Sequence, residues 1–473
     1  MKSVQEIIMS LNNAPSRDGG GVYFLGIGGI GMSALARYFN SKGIAVSGYD
    51  KTATTLSKQL SEEGIKIHYE DNTELIDRNA KLVVYTPAIP KDHKELNFYQ
   101  ANDYTVVKRS DVLGAITAGG FNICVAGTHG KTTTSTMVAH ILRHSGYGCN
   151  AFLGGISVNY NSNFWPSDKK VCVAEADEYD RSFLKLSPDV AIISSMDADH
   201  LDIYGTAENM EQAFIDFAGK IKDGGLLISR YGLKRQADLK ASYHITYDVQ
   251  NEQADVNAHN IRMNNGSYHF DVQVKDKLVK DVLLNMGGMH NIENVTAAIA
   301  VAVALKIDDQ KIIEAVANFK GVKRRFEYII KNEKTVLIDD YAHHPEELRA
   351  LITGAKKLFS NKKCTVVFQP HLFSRTKDHA HGFAEVLDMA DETILLPIYP
   401  AREQPMEGIS SAMIMERMHS EYKMLLSKED LLKHLQQEKD ALVEEGFEGS
   451  LIITAGAGDI DTLVDPIKKI LEA

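Results

Sequence analysis

Only four cysteines occur in 473 residues, and none forms a C-x-x-C pair. That excludes a disulfide framework or a thiolate zinc site read from spacing. Cys124, Cys149, Cys172 and Cys364 mostly stand in or beside apolar runs, and they read as reduced, mostly buried thiols of a cytoplasmic protein. Basic excess is also missing. Lys plus Arg is 52 against 63 Asp plus Glu, a net charge of -11. This argues against a general nucleic-acid or membrane-surface binder, which needs a basic footprint. It leaves room for an anionic small substrate in a local basic pocket. Long hydrophobic runs are absent: the longest purely apolar stretch, Ala297 to Leu305, is far short of the roughly 20 residues that span a bilayer. The first 16 residues lack a continuous apolar segment followed by a cleavage site, so no signal peptide is expected. Repeats and low-complexity segments are missing too. The single tryptophan, Trp165, stands beside Pro166 in an expected loop and is given no role.

What remains is an alternation of apolar strand, glycine turn and helix, the pattern of an α/β fold with parallel sheets. At about 150 residues per domain the length suits three domains. In the first, strands are expected at Val22–Leu25, Ile44–Tyr49, Leu82–Tyr85 and Thr105–Val107, ending near Gly119-Gly120. The second opens with Asn122–Ala126 and continues through Val171–Ala174 and Val190–Ser194. Residues 242–285 alternate (Tyr268, Phe270, Val272, Val274), which predicts antiparallel strands at an edge. Helices follow at Asn291–Leu305 and Gln310–Phe319. The third domain begins near Gly321, with strands at Val336–Ile338, Thr365–Phe368, Thr393–Leu396 and Leu451–Thr454. Residues 413–448 mix charge and apolar residues at helical spacing and read as solvated surface helices.

The most informative stretch is Gly127-Thr128-His129-Gly130-Lys131-Thr132-Thr133, between a strand and a helix. Glycines let backbone N–H groups face phosphate oxygens, and the helix N-terminus adds positive charge. Lys131 supplies a point charge for the outer phosphates and Thr132 a hydroxyl for Mg²⁺. The spacing departs from the common P-loop, because Val125 stands where that motif has its first glycine. A phosphate site of this kind needs a metal, and Mg²⁺ takes few protein ligands. Glu175, at the end of one strand, and His200, in the acidic segment after another, are the candidates beside Thr132.

Gly26-Ile-Gly28-Gly29-Ile30-Gly31 matches G-x-G-x-x-G after a strand, with Asp50 at the end of the next. Alone it predicts a nicotinamide dinucleotide with Asp50 on a ribose hydroxyl. The physics asks only for a pyrophosphate on a helix N-terminus and a ribose near a carboxylate, which a UDP-sugar also provides.

Together these stretches resemble the Mur ligase family. Gly26–Met32, Gly127–Thr134, Glu175-Ala-Asp-Glu-Tyr-Asp180, Asp199-His200 and Gly288-Met-His-Asn-Ile-Glu-Asn294 fall in the family's order. So do Arg324-Arg-Phe326, Asp339-Asp-Tyr-Ala-His-His-Pro345, Gln369-Pro-His-Leu-Phe-Ser-Arg-Thr376 and Ala455-Gly-Ala-Gly458. The resemblance runs from about residue 20 to the C-terminus. It implies a Rossmann-like UDP-binding domain over 1–119, a central P-loop ATPase-like domain with a mostly parallel sheet over 120–320, and a Rossmann-like amino-acid-binding domain over 321–473.

The implied reaction is ATP-driven amide formation between the lactyl carboxylate of UDP-N-acetylmuramate and L-alanine, through an acyl phosphate. The implied cofactors are ATP and Mg²⁺. The resemblance gives ATP the loop from Gly127 to Thr133, together with His290, Asn291, Asn294, Arg324 and Asp340. To the UDP substrate it gives Gly26, Gly28, Gly29, Ile30, Gly31, Met32, Asp50, Thr86 and Pro87. His371 and Arg375 match positions near the acceptor carboxylate and the incoming amino acid. Lys131, Glu175, His200, His344 and Arg375 are the expected catalytic set, with His200 and His344 both conceivable as base. Some family members carry a carbamylated lysine after the Asp-His segment; Glu208–Phe217 holds no lysine, so none is assigned.

His343 and His344 are adjacent and point apart on regular elements, which speaks against a metal pair. Two other readings stay open: a ligase of the same family that recycles an intact tripeptide, and a nicotinamide-binding oxidoreductase or sensor with an accessory ATPase domain. Monomer and homodimer are both compatible with the sequence.

Overall fold

The computed structural model describes residues 3–13, 15, 20–198, 201–401, 403–438 and 446–473, with only the backbone at 201 and 202. Contacts divide the chain into two compact units. The first comprises 1–259, 271–280 and 293–316; the second comprises 260–270, 281–292 and 317–473.

The first unit opens with a helix the sequence reading lacked, Val4–Asn13, whose Ile7, Ile8 and Leu11 are buried. A five-stranded parallel sheet follows, in the order Lys66–His68, Val46–Tyr49, Val22–Leu25, Leu82–Tyr85, Val106–Lys108. Its central strand reads Val-Tyr-Phe-Leu and is buried at every position, as a strand covered on both faces must be. The order reverses between Val22–Leu25 and Leu82–Tyr85, so the turns after those strands flank a topological switch point, where such sheets bind ligands. The glycine turn leads into the helix Ile30–Ser41. That helix packs on the central sheet as well: Phe152, Phe164, Cys172 and Ala174 share a core with Leu35, Tyr38 and Phe39.

The central sheet has ten strands. Its parallel body runs Tyr243–Asp248, Leu226–Arg230, Val190–Ile193, Phe121–Ala126, Val171–Glu175, Asn150–Ser157, and Ser162–Trp165 closes one edge antiparallel. The expected antiparallel character of 242–285 is corrected in part. Tyr243–Asp248 pairs parallel with Leu226–Arg230, and Val256–Asn264 continues parallel from it. The alternation inside Ser267–Val274 is real, with Tyr268, Phe270, Val272 and Val274 all buried. Asn265 and Gly266, both at positive φ, join it to the preceding strand, and a two-residue connection can only join antiparallel neighbours.

Trp165 also departs from expectation. It ends a strand and is buried, with the Tyr160 ring 4.6 Å away and the Arg143 guanidinium 5.5 Å from its ring. All four cysteines are free and buried, and burial pushes the Cys124, Cys149 and Cys364 thiols up to about 12.

His140, buried in the helix Lys131–His144, bonds the Ala315 carbonyl through Nε2 at 2.9 Å and the Tyr160 hydroxyl through Nδ1 at 2.9 Å. The carbonyl can only accept, so Nε2 carries a hydrogen, and burial holds the ring's pKa down to about 4 from the ordinary 6.5. The unfolded chain then binds the extra proton first, so stability falls as pH drops from about 6.5 to about 4. The loss is on the order of 3 kcal/mol. Denaturant titrations across this range should show the slope, and His140→Gln should flatten it; an equal slope in both proteins would contradict the assignment.

The second unit is built on a six-stranded sheet in the order Glu327–Lys331, Thr335–Asp340, Ser450–Ala455, Lys363–Phe368, Glu392–Leu395, Lys423–Leu425. Only the first pairing is antiparallel. The expected surface helices of 413–448 are corrected. The described part contains the edge strand Lys423–Leu425, and the helix Lys428–Glu438 buries Leu431 and Leu435 in this unit's core. The helical spacing holds over Lys428–Glu438, but its apolar stripe faces the core and not solvent.

Candidate active site

The phosphate loop leaves the buried strand Phe121–Ala126 and enters the helix Lys131–His144. Gly127 has φ +138, and a Cβ there would strike Ser194 Oγ and lie 2.9 Å from Ser195 N. Gly130 has φ +80, and its Cβ would lie 2.6 Å from Asn294 Oδ1. Both glycines are therefore required by packing and by conformation. Asn294 also accepts a bond from Thr134 Oγ1 at 3.1 Å, so this expected nucleotide residue braces the back of the loop.

Two residues the sequence reading passed over support the front. Ser195 Oγ receives the His129 N–H at 2.8 Å and pairs with Thr128 Oγ1 at 2.8 Å. Ser194 Oγ donates to the His129 carbonyl. They stand directly after the strand Val190–Ile193, next to the loop because that strand pairs with Phe121–Ala126. The His129 side chain itself is three-quarters exposed.

Lys131 Nζ donates to the Gly127 carbonyl at 2.6 Å and to Glu178 Oε1 at 2.8 Å. Glu178 is 1% exposed. The loop's point charge is thus held, ready-oriented, by a buried carboxylate from the Glu175–Asp180 segment. Tyr204 ties the same segment, its hydroxyl donating to the Glu178 carbonyl at 2.6 Å.

Glu175 ends the strand Val171–Glu175, and its register partner is Val125, just before the loop. Its Oε2 accepts the Gly154 N–H at 3.1 Å. The donor set suits Mg²⁺: Thr132 offers a hydroxyl in the first helical turn and Glu175 a carboxylate on the adjacent strand. This hard cation takes one or two protein oxygens and completes its shell with water and phosphate oxygens. Among the described residues no group of three or more His, Cys, Asp or Glu gathers for a metal. His200, the other expected ligand and conceivable base, lies outside the described residues.

The first glycine turn meets its expected neighbours. Gly26 has φ +87, and a Cβ there would lie 2.8 Å from Thr86 Cγ2 across the switch point. Asp50 Oδ2 accepts the Gly28 N–H at 2.7 Å and Oδ1 accepts the Thr52 N–H at 3.2 Å. Asp50 therefore shapes the turn itself. Gly29, Ile30, Gly31 and Met32 form the helix start that follows, and Pro87 sits in the turn beside Thr86. A cavity of about 90 Å³ is lined by Ile30, Gly31, Arg109, Gly154, Glu175 and Asp177 among others. It brings the glycine turn and the candidate metal carboxylate to one space.

In the second unit Arg324 adopts φ +60. Its guanidinium reaches the Gly456 carbonyl, the Gly458 carbonyl at 3.3 Å and Asp339 Oδ2 at 3.3 Å. Asp340 accepts the Phe326 N–H at 2.6 Å and the Ala342 N–H at 2.8 Å. These two expected nucleotide residues hold together the turns at the ends of three strands. Asn291 donates to the Gly287 carbonyl at 2.6 Å, and His290 is exposed one residue before it.

His371 and Arg375 are brought together, with Nδ1 and Nη1 3.4 Å apart. The His371 ring stacks on Tyr399 at 5.8 Å and faces His343 at 6.2 Å. Burial, and then the Arg375 charge, lower the His371 pKa. Leu372 follows at φ +70, an uncommon conformation for a bulky residue and a mark of functional sites. His344 caps the helix Pro345–Leu358, its Nδ1 accepting the Glu346 N–H at 3.4 Å. Only its Nε2 is left for proton transfer.

Models of three domains cover most of the chain: the Mur ligase family catalytic domain matches residues 21–120, the Mur ligase middle domain 125–302, and the Mur ligase glutamate ligase domain 324–458. A UDP-N-acetylmuramate–L-alanine ligase of Flavobacterium johnsoniae is 47% identical over 454 residues, 95% of this chain and 97% of that one. The enzyme of that name from Porphyromonas gingivalis strain W83 is 46% identical over 458 residues, 95% and 99% of the two chains. Among solved structures, UDP-N-acetylmuramate-alanine ligase of Thermotoga maritima superposes with a TM-score of 0.78 at 28% identity, covering 96% of this chain and 98% of that one. A murein peptide ligase of Psychrobacter arcticus shares the fold, with a TM-score of 0.65 at 22% identity, covering 96% and 99%. Three successive domain models, whole-length relatives and two glycine turns on adjoining sheets lead to one conclusion: the chain belongs to the Mur ligase family.

Proposed function

We propose that this chain is an ATP-dependent ligase that joins L-alanine to the lactyl carboxylate of UDP-N-acetylmuramate, in peptidoglycan precursor synthesis. The observation that carries the reading is whole-length identity of 45–48% to relatives of that name. The tripeptide-recycling alternative has solved neighbours at 22% and 26% identity, well below the whole-length relatives. The nicotinamide alternative rests on the first glycine turn alone. No helix among the described residues is long and apolar enough to cross a membrane, and we place the reaction in the cytoplasm.

A carboxylate is a poor acyl donor because expelling oxide is prohibitive. One carboxylate oxygen attacks the γ-phosphorus of ATP, ADP leaves, and an acyl phosphate forms. The alanine amine then attacks the acyl carbon. The tetrahedral intermediate expels phosphate, the nitrogen gives up a proton, and the amide remains. Two anions must meet in line in the first step, so most of the work is positioning and charge neutralisation.

Lys131 takes the outer phosphates, its Nζ already aimed by Glu178 and the Gly127 carbonyl. Loop amides from Gly127 to Thr133 hold the phosphates at the helix N-terminus. Thr132 and Glu175 would hold Mg²⁺, which when bound neutralises phosphate charge. The glycine turn at Gly26–Gly31 binds the UDP pyrophosphate. Arg375 and His371 hold carboxylate groups of the acceptor or the amino acid. The amine proton goes to His344, through Nε2, or to His200.

Phosphate release with ATP, Mg²⁺ and UDP-N-acetylmuramate, adding single amino acids and then the tripeptide, tests the reading. Release is expected with L-alanine. Release with the tripeptide but not with L-alanine would replace this reading with the recycling one.

A further inference from the structure

We propose that Arg109 is a positioning residue for the pyrophosphate of the UDP substrate, and that Asp177 is the counter-ion it leaves when that substrate binds. The proposal rests on the reading of the glycine turn as a UDP site. A Cβ at Gly31 would strike Arg109 Nη1 and lie 3.0 Å from Cζ and 3.1 Å from Cδ. The guanidinium thus lies against the first turn of the helix Ile30–Ser41, whose N-terminus favours anions. Gly31 is glycine here because an arginine needs the space. Arg109 Nη2 reaches Asp177 Oδ2 at 3.2 Å, with the arginine side chain one-quarter exposed. Both residues line the cavity that Gly31 and Glu175 share.

The physical need is clear. The turn from Gly26 to Gly31 carries no cation of its own, and Asp50, bonded to Gly28, sets an anion beside it. A pyrophosphate placed there needs a positive partner on a chain of net charge -11. A guanidinium fork matches phosphate oxygens in two-point geometry. Before substrate arrives a half-buried guanidinium needs an acceptor, and Asp177 provides one. Exchanging a carboxylate for a pyrophosphate keeps the charge paired in both states.

The sequence hides this role. Arg109 stands in Lys108-Arg109-Ser110, nearly 80 residues from the glycine turn, and reads as an ordinary basic helix start.

The test is calorimetric titration of the full chain with UDP and with UMP, for wild type, Arg109→Ala, Arg109→Lys and Asp177→Asn. Loss of a charge-assisted pair is worth about tenfold or more. Arg109→Ala is expected to weaken UDP by at least that factor while changing UMP less than about threefold. Arg109→Lys should recover part of the loss, and Asp177→Asn should bind UDP more tightly than wild type. In turnover, the KM for the UDP substrate should rise while the KM for ATP stays. Unchanged UDP binding in Arg109→Ala, or equal weakening of UDP and UMP, would overturn the proposal. Failure of the wild type to bind UDP would instead remove the reading beneath it.

Discussion

Lys131→Ala is expected to lower kcat by about 10³-fold or more while leaving UDP-substrate binding within about twofold. In the proposed reaction its ammonium neutralises the γ-phosphate as the carboxylate approaches, and its loss restores repulsion between two anions. The glycine turn proposed for UDP follows a strand of a different sheet. The substitution also has a structural consequence. It strips a buried carboxylate, Glu178, of its ion-pair partner, which costs on the order of 3 kcal/mol of stability. The double variant Lys131→Ala, Glu178→Gln should therefore regain much of the stability and none of the turnover. Thermal denaturation beside phosphate-release kinetics separates the two effects. Recovery of turnover along with stability would show that the lysine acts only through folding.

Glu175→Gln is expected to lower kcat by about 10²-fold and to raise the Mg²⁺ concentration needed for half-maximal rate. The amide keeps an acceptor for the Gly154 N–H, so the strand end should stay in place. UDP binding should be unchanged. A Mg²⁺ titration of the phosphate-release rate reads the effect. An unaltered Mg²⁺ midpoint would remove Glu175 from the metal.

Much of this was legible because parallel α/β sheets advertise their strands. Val22–Leu25 and Phe121–Ala126 are continuous apolar runs followed by glycine turns, and they lie where the pattern placed them. Lys66–His68 escaped notice because three residues at a sheet edge carry no hydrophobic run. The edge strand Lys423–Leu425 was lost inside helical spacing for the same reason.

The site was legible where its signal is contiguous, as in Gly127–Thr133. It was not legible where chain-distant residues meet. Ser194 and Ser195 reach the phosphate loop only because their strand pairs beside it. Glu178 sat inside a quoted motif, yet its grip on Lys131 depends on a loop conformation with Asp180 and Arg181 at positive φ. Arg324 and Asp340 read as nucleotide contacts by family position, and their bonds to the turns around Gly456 and Phe326 could not be read from sequence.

In the proposed reaction the carboxylate is activated as an acyl phosphate before L-alanine attacks. UDP-N-acetylmuramate labelled with ¹⁸O in both lactyl carboxylate oxygens tests it most directly. With ATP, Mg²⁺ and L-alanine, one labelled oxygen should appear in the released phosphate and one should stay in the amide product. Unlabelled phosphate would contradict it.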